Sequence, residues 1–423
     1  MTDRRLAMLI AILFCPGLVQ GQASGTDTTR VDALETRLAA AQNNLQQLQS
    51  VIAGLASELA AIKGQPPDAE QIEPTQMPEP ESYRDRVLVS DLGHDERESE
   101  LQARPELFIQ SRYHANPIDE AGGDDVTRNL GLNRMELRWA GRVSEKVGMG
   151  FEIQYHPAPD GAAEELINDG YVELYPNDTV TIRAGQFVKP FGFDIQHSSS
   201  VRESPERGIF AGYFFPGQRD RGLMVAADLG GYADWLGRTS VYAGVFNGNR
   251  FFNDNNDELN YNLRVRKVFD SIPLALGASL QAGTQLLSPG LSGNDDENIY
   301  GFDVQYVIGR LGIRAEYTRG NTPSTLLALD SEFVPNFSPG EKSTGVAAFF
   351  NYNVSDRDDV YWRWDRFDND PITGRDIKAF NVGYLRSIGS NSRIGIDYQS
   401  KNDVTFNDDE LNNRLSVTWN VWY

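Results

Sequence analysis

Arginine is the residue type whose spacing in this 423-residue chain points to chemistry. Arg134 and Arg138 alternate with Met135, Leu137 and Trp139, and Arg142 continues the same row. Arg183, Arg264, Arg266, Arg314, Arg363, Arg393 and Arg414 stand in similar settings, each beside an apolar neighbour. In extended chain, successive side chains point to opposite faces. Each arginine therefore shares a face with polar residues, while the other face is apolar. Guanidiniums lining a wet passage favour anions. The carboxylates Glu136, Glu152, Asp303, Glu316 and Asp397 fall on the same polar face and oppose them. The expectation is a moderate anion preference.

Residues suited to covalent or metal chemistry are sparse. Cys15 is the single cysteine and lies in the N-terminal segment, so disulfides, thiol catalysis and cysteine–metal sites are not expected. His94, His114, His156 and His197 are far apart and lack i, i+4 pairing. No serine–histidine arrangement stands out. The acidic clusters Asn253–Glu258, Asn294–Glu297 and Asp408–Glu410 lack the ligand order of a calcium loop and read as a solvated rim. The chain is expected to be no enzyme and to need no metal or cofactor, and no nucleic-acid partner is expected.

The elements that must position the arginines begin after an unusual N-terminus. Arg4 and Arg5 precede the apolar run Leu6–Phe14, and small residues follow to Ala23, which reads as a secretory signal over 1–23. Phe14 is too large for the residue before a lipoprotein cysteine. Over 24–63 a heptad takes hold, with Val31, Leu38, Leu45, Ile52 and Leu59 on one seam position. Leu34, Ala41, Leu48, Leu55 and Ile62 hold the other. That spacing predicts an oligomerising α-helical coiled coil. The competing reading, one amphipathic helix packed on its own barrel, fits less well with so narrow a stripe. Gly64 and Pro66-Pro67 stop the helix, and 64–103, rich in Pro and acidic residues, reads as a linker.

From Arg104 to Tyr423 the period is two. Met149, Phe151, Ile153 and Tyr155 alternate with Gly150, Glu152 and Gln154, and Tyr300, Phe302, Val304 and Tyr306 alternate with Gly301, Asp303 and Gln305. About sixteen such segments can be delimited, including 132–142, 168–175, 274–286 and 411–423. Short links alternate with long ones rich in Asp, Asn, Gly and Pro, a loop pattern that a soluble β-sandwich has no reason to show. The fold class is therefore all-β: a transmembrane antiparallel barrel of about sixteen strands, preceded by a periplasmic coiled coil. Leu415, Val417, Trp419, Val421 and Tyr423 close the chain on one apolar face. That ending looks like the signal read by barrel-assembly machinery, with Tyr423 as its contact. The longest connection, Val188–Arg221, carries Lys189, Arg202, Arg207, Arg219 and Arg221 against Asp194, Glu203, Glu206 and Asp220. These charges either line a constriction or hold the loop down.

Several motifs in order resemble a known family. Arg134–Gly141 (RMELRWAG), Asp169–Val172 (DGYV), Ile182–Gly192 (IRAGQFVKPFG), Pro216–Leu223 (PGQRDRGL) and Tyr242–Gly248 (YAGVFNG) are similar to the phosphate-selective porins O and P. The resemblance implies a trimer of sixteen-stranded barrels, with the third long loop folded into the lumen to set the constriction. Family members that concentrate phosphate use an arginine ladder leading to a lysine cluster. Lys189 lies in the matching stretch, but residues 104–423 hold only six lysines, so a cluster does not map onto them. The whole chain is −21, yet most surplus acid sits in the other long loops, which leaves strands, turns and the third loop mildly basic.

The expected function is a diffusion channel of the outer membrane passing small hydrophilic solutes, with anions, phosphate among them, preferred. Its expected surroundings are a homotrimer, outer-membrane lipid and lipopolysaccharide, with peptidoglycan contact through the stalk. The alternative is a structural protein tethered to the cell wall by that coiled coil.

Overall fold

In the computed structural model the described residues are 104–117, 126–157, 163–250, 254, 256–269, 271–286, 294–321, 342–369, 375–405 and 408–423. The expected signal segment, coiled coil (Val31 to Ile62) and linker lie outside the described residues. Strands begin with β1 (Arg104–Pro117), β2 (Val126–Ser144), β3 (Val147–Pro157), β4 (Ala163–Asn177), β5 (Val180–Val188) and β6 (Arg219–Asp228). Next come β7 (Thr239–Phe246), β8 (Asn260–Phe269), β9 (Leu274–Ala282), β10 (Thr284–Leu286), β11 (Asn294–Asp296) and β12 (Ile299–Ile308). The last six are β13 (Leu311–Asn321), β14 (Lys342–Ser355), β15 (Asp358–Asn369), β16 (Arg375–Ser387), β17 (Ser392–Thr405) and β18 (Asp408–Trp422).

Sixteen of these close a barrel, each pairing antiparallel with its neighbours, and β10 with β11 forms a separate two-stranded ribbon. Closure joins β1 to β18 in the register Phe108↔Trp422 to Ala115↔Leu415. The terminal Tyr423 exchanges backbone hydrogen bonds with Leu107, both 2.9 Å. Expected segment 274–286 ends early. Gly283 lies against Asn260, where a Cβ would come within 1.8 Å of its side chain. Beyond it, residues 284–286 leave the wall to pair with 294–296.

Alternation separates two faces. On β13 every second residue is buried, placing Arg314, Glu316 and Thr318 inside and Ile313, Ala315 and Tyr317 outside. Large apolar side chains on the outer face stay exposed, Phe302 at 58% and Trp419 at 56%. So extensive an apolar exterior is what lipid contact requires. Aromatic rings form a row across it, Phe350 to Trp362 at 4.7 Å and Trp362 to Phe380 at 5.6 Å. Short turns gather at one end of the barrel. The Asp178–Thr179 turn is closed by Asn177, whose Oδ1 accepts from the Thr179 amide at 3.0 Å. The Gly309–Arg310 turn uses a left-handed Gly309, φ +57°.

Val382 lies in that outer row, paired with Trp362 and Tyr398. Val382→Arg should lower barrel stability in lipid vesicles by ~2–4 kcal/mol, measured by denaturant titration. Gln399→Arg, on the inner face, should leave stability nearly unchanged.

Candidate functional site

The interior is organised by the connection between β5 and β6, residues 189–218. Pro190 has no amide to continue the β5 ladder, and Gly192 turns the chain inward with φ +50°. A Cβ at Gly192 would lie 2.0 Å from Glu316 Oε1, so only glycine fits this approach. Three successive amides are then satisfied from the opposite wall. Gly192 N donates to Ser279 Oγ at 3.1 Å, and Phe193 N and Asp194 N donate to Glu316 Oε2 at 2.9 and 3.0 Å.

A short helix α1 (Ile209–Phe214) follows. Phe191, Phe210, Phe214 and Phe215 are fully buried with Ile195, Ile299, Phe367 and Ile377. Ile299, Phe367 and Ile377 are inward strand residues that break the polar-in rule where the loop docks. Gly301 and Gly345 leave the room, since a Cβ would meet Phe191 at 2.7 Å and Phe210 at 2.4 Å. Each buried phenylalanine contributes about 1.5–3 kcal/mol, against about 1 kcal/mol net for a typical hydrogen bond. The aromatic cluster therefore supplies most of the docking, and polar contacts fix position.

Those polar contacts reach much of the wall. Glu203 accepts from Arg314 Nη2 at 2.8 Å and Asn351 Nδ2 at 3.1 Å. Ser199 Oγ donates to Glu136 at 2.5 Å. Glu206 accepts from Arg112 at 2.5 Å and Arg134 at 3.4 Å. Arg363 donates to Ser204 Oγ and the Glu206 carbonyl at 2.8 and 2.6 Å, and Arg393 to the Arg202 carbonyl at 2.6 Å. Asp194 caps the helix entrance by accepting from Gly208 N at 2.8 Å.

Each expected site residue now has a place. Arg134, Arg138 and Arg142 lie on the inner face of β2, and Arg142 stacks over the Tyr175 ring at 4.1 Å. Arg183 pairs with Glu173 at 2.6 Å and lies over the Tyr171 ring at 4.1 Å. Arg264, fully buried, pairs with Asp303 at 2.6 Å, and Arg266 is buried two residues on. Arg314 is spent on Glu203. Lys189 is buried with its Nζ 5.5 Å from the centre of the Phe215 ring. Arg207 donates to the backbone carbonyls of Asp194, Ile195 and His197 and so ties the loop to itself. Arg219 bridges Asp169 at 2.9 Å and Glu152 at 3.0 Å. Arg202 is buried, and its Nε has no hydrogen-bond partner.

Arg221 is a correction. It pairs in register with Gln186 and accompanies Leu223 and Val225, while Asp220 and Met224 alternate inward. It therefore sits on the outer face, its Nε donating to Gln186 Oε1 at 3.2 Å. The expectation failed because Arg221 lies within β6, where alternation sets the face, and not in the loop, which ends at Gln218; Arg219, at the strand's first position, still reaches Glu152 and Asp169.

Sequence reasoning left out Arg112 and the aromatic anchors. Inward apolar residues beside Gly301 and Gly345 were the available signal. The motifs prove to be wired together: Asp169 of DGYV holds Arg219 of PGQRDRGL, and Asp220 accepts from Gly248 N of YAGVFNG at 3.0 Å.

Two loop carboxylates, Glu203 and Glu206, are held below the ordinary carboxylate range. Burial would raise Glu203, but Arg314 and His197 bring it down to about 2. Burial, then Arg314, lowers His197 to about 3.

These findings meet three comparisons. The model of the family described as phosphate-selective porin O and P matches residues 109–301. It spans the stretch in which the motifs lie, so the resemblance is borne out there. No curated protein matches the chain. Among solved structures, the anion-selective porin from Comamonas acidovorans is similar, with 11% identity, 76% of this chain and 99% of that one covered, and TM-score 0.55. The outer membrane channel DcaP of Acinetobacter baumannii gives 14% identity, 77% and 99% coverage, and TM-score 0.54. Salmonella typhi OmpF gives 12%, 76% and 97%, and 0.54. At such identities the likeness is one of fold, a porin barrel.

Two outcomes follow from the docking. Gly192→Ala should weaken the docked loop by about 1–3 kcal/mol through its left-handed backbone, raising cleavage within 189–218 in limited proteolysis. Acidification should also loosen it. His197 has its folded pKa depressed, so its neutral docking is lost as pH falls from about 6.5 to about 3; the Glu203 contribution is present above about 4.5 and lost as pH falls through about 2. Cleavage should rise between pH 6.5 and 4.5 in the native chain, and His197→Gln should flatten that part of the profile.

Proposed function

We propose that this protein is an outer-membrane diffusion channel for small hydrophilic solutes with a moderate preference for anions, phosphate included. The family match and the porin barrel support a channel rather than an enzyme. One observation carries the anion reading: Arg112 and Arg134 converge on the half-exposed carboxylate of Glu206, at 2.5 and 3.4 Å, where the loop meets the wall, and Arg202 and Arg414 add positive potential there. Most other interior cations are matched by acids, as with Arg183 and Glu173 or Arg264 and Asp303. The similar porin from Comamonas acidovorans is described as anion-selective, which accords with this reading. Phosphate enters as one anion among several, because residues 104–423 hold only six lysines and a lysine cluster does not map onto the stretch around Lys189. Homotrimeric assembly in the outer membrane, with the heptad segment as a periplasmic stalk and Tyr423 offered to the assembly machinery, completes the reading.

Reversal potentials of the purified protein in planar bilayers under a potassium chloride gradient test it. Anion preference, with chloride current reduced by added phosphate, is the expected result. Cation preference would refute the selectivity, and a silent trimer would refute the channel.

A further inference from the structure

The outer face of the barrel is largely apolar, yet four neighbouring outward residues of β13 to β16 carry positive charge. On β13 the outer row runs Ile313, Ala315, Tyr317 and then Arg319. On β14 it starts with Lys342 and Thr344, and on β15 it passes from Trp364 to Arg366. On β16 it starts with Asp376 and Lys378 and continues to Phe380. All four cations lie at the end remote from the short Gly309–Arg310 and Asp356–Arg357 turns, the long-loop and extracellular end of such a barrel. We propose that this patch binds the phosphorylated headgroup of an outer-leaflet lipid, with Arg319, Lys342 and Arg366 as its cationic contacts.

Depth is the first support. Tyr317, Trp364 and Phe380 each precede a cation on the way out of the membrane, and Tyr300 lies beside Arg319 in register. Aromatic rings of this kind mark the edge of the hydrocarbon band. Two residues of strand span ~7 Å, so the cations stand level with headgroups and not with acyl chains. A charge at that depth is tolerated and meets lipid phosphates directly.

Charge is the second. Arg366 is held by Asp368 and Asp376, both at 2.9 Å, and Lys378 by Asp376 at 2.8 Å. Those two cations and two acids cancel. Arg319 donates to Thr344 Oγ1 at 3.3 Å. Neither Arg319 nor Lys342 has a carboxylate within ion-pair distance among the described residues. The patch therefore carries two positive charges in surplus on a chain whose net charge is −21.

Shape is the third. Thr344 lies in register between Arg319 and Asp368, and Val346 between Tyr317 and Arg366. Arg319 and Arg366 thus stand two strands, about 10 Å, apart, over a floor of two short side chains. Two guanidiniums reaching over such a floor suit one tetrahedral anion, and the Thr344 hydroxyl has a proton left to donate to it. The outward column below, Val346, Ala348 and Phe350, gives an attached acyl chain an apolar track. A lipid phosphate therefore fits this patch better than a free one.

The test uses the purified full-length protein in zwitterionic detergent, with bound lipid counted by native mass spectrometry during titration with bisphosphorylated lipid A. Each basic residue near a lipid surface is worth ~1 kcal/mol, or about fivefold in affinity. Arg319→Gln combined with Lys342→Gln should weaken binding about 25-fold, and Arg366→Gln at least fivefold. Arg386→Gln removes an outward charge at the opposite rim, where Arg386 pairs with Asp358 at 3.0 Å, and should leave affinity native. Native affinity in the R319Q/K342Q chain, or an equal loss in R386Q, would overturn the proposal. So would equal binding of dephosphorylated lipid A by the native chain, a measurement that needs no variant to fold. Displacement of the lipid by inorganic phosphate at equal concentration would make this a site for free anions, and loss of binding on adding a chelator would make it a metal bridge on Asp368 and Asp376; either overturns it. None of these readouts depends on ion flow, so a silent or cation-preferring channel would refute the function proposed above and leave this site standing.

Discussion

Every backbone amide that meets hydrocarbon must find its partner within the protein, because no water is there to accept or donate. A sheet satisfies this only by closing on itself. The pairing of β1 with β18, completed by Tyr423 on Leu107, is the closure on which everything else depends. Once closed, the wall has one face in lipid and one enclosed. The period of two then forces each strand to supply apolar side chains to the first and polar ones to the second. The arginine rows are a consequence of that partition.

Enclosing so much polar surface creates a second problem. The loop folded inside removes water from many of those groups, and buried charge is costly unless paired. The structure answers with carboxylates at the matching depth: Glu173 for Arg183, Asp303 for Arg264 and Glu203 for Arg314. Glu173 and Asp303 belong to the wall itself, while Glu203 is brought to Arg314 by the docking of the loop. At Glu206 two arginines of the wall, Arg112 and Arg134, meet one carboxylate of the loop.

How much of this was legible in the sequence follows from which forces are local. Alternation is local, so the strands, their near-even loop pattern and the inward rows from Arg134 to Arg314 could be read directly. Loop docking is not local. Phe210 and Phe214 read as a short apolar run, and only the cavity left by Gly301 and Gly345 explains where they go. Arg221 was misassigned for a related reason: the connection expected over Val188–Arg221 includes it in the loop, whereas β6 begins at Arg219, and in a strand one residue separates inside from outside. Val31 to Ile62 and the stalk they are expected to form lie outside the described residues, so for them the heptad remains the argument.

The choice of arginine over lysine connects the two roles of the interior. A guanidinium presents several donors in one plane, keeps its charge when buried and loses less freedom per bond than an ammonium. That suits a rivet: Arg363 spans Asp365, Ser204 and the Glu206 carbonyl at once. It also suits a fixed charge in a narrow passage, since the cation does not titrate away. A pore built from six lysines and many arginines in residues 104–423 can therefore use one residue type for both purposes. The division between them is set by the carboxylates: where an acid stands opposite, the arginine is structure, and where none does, it is potential.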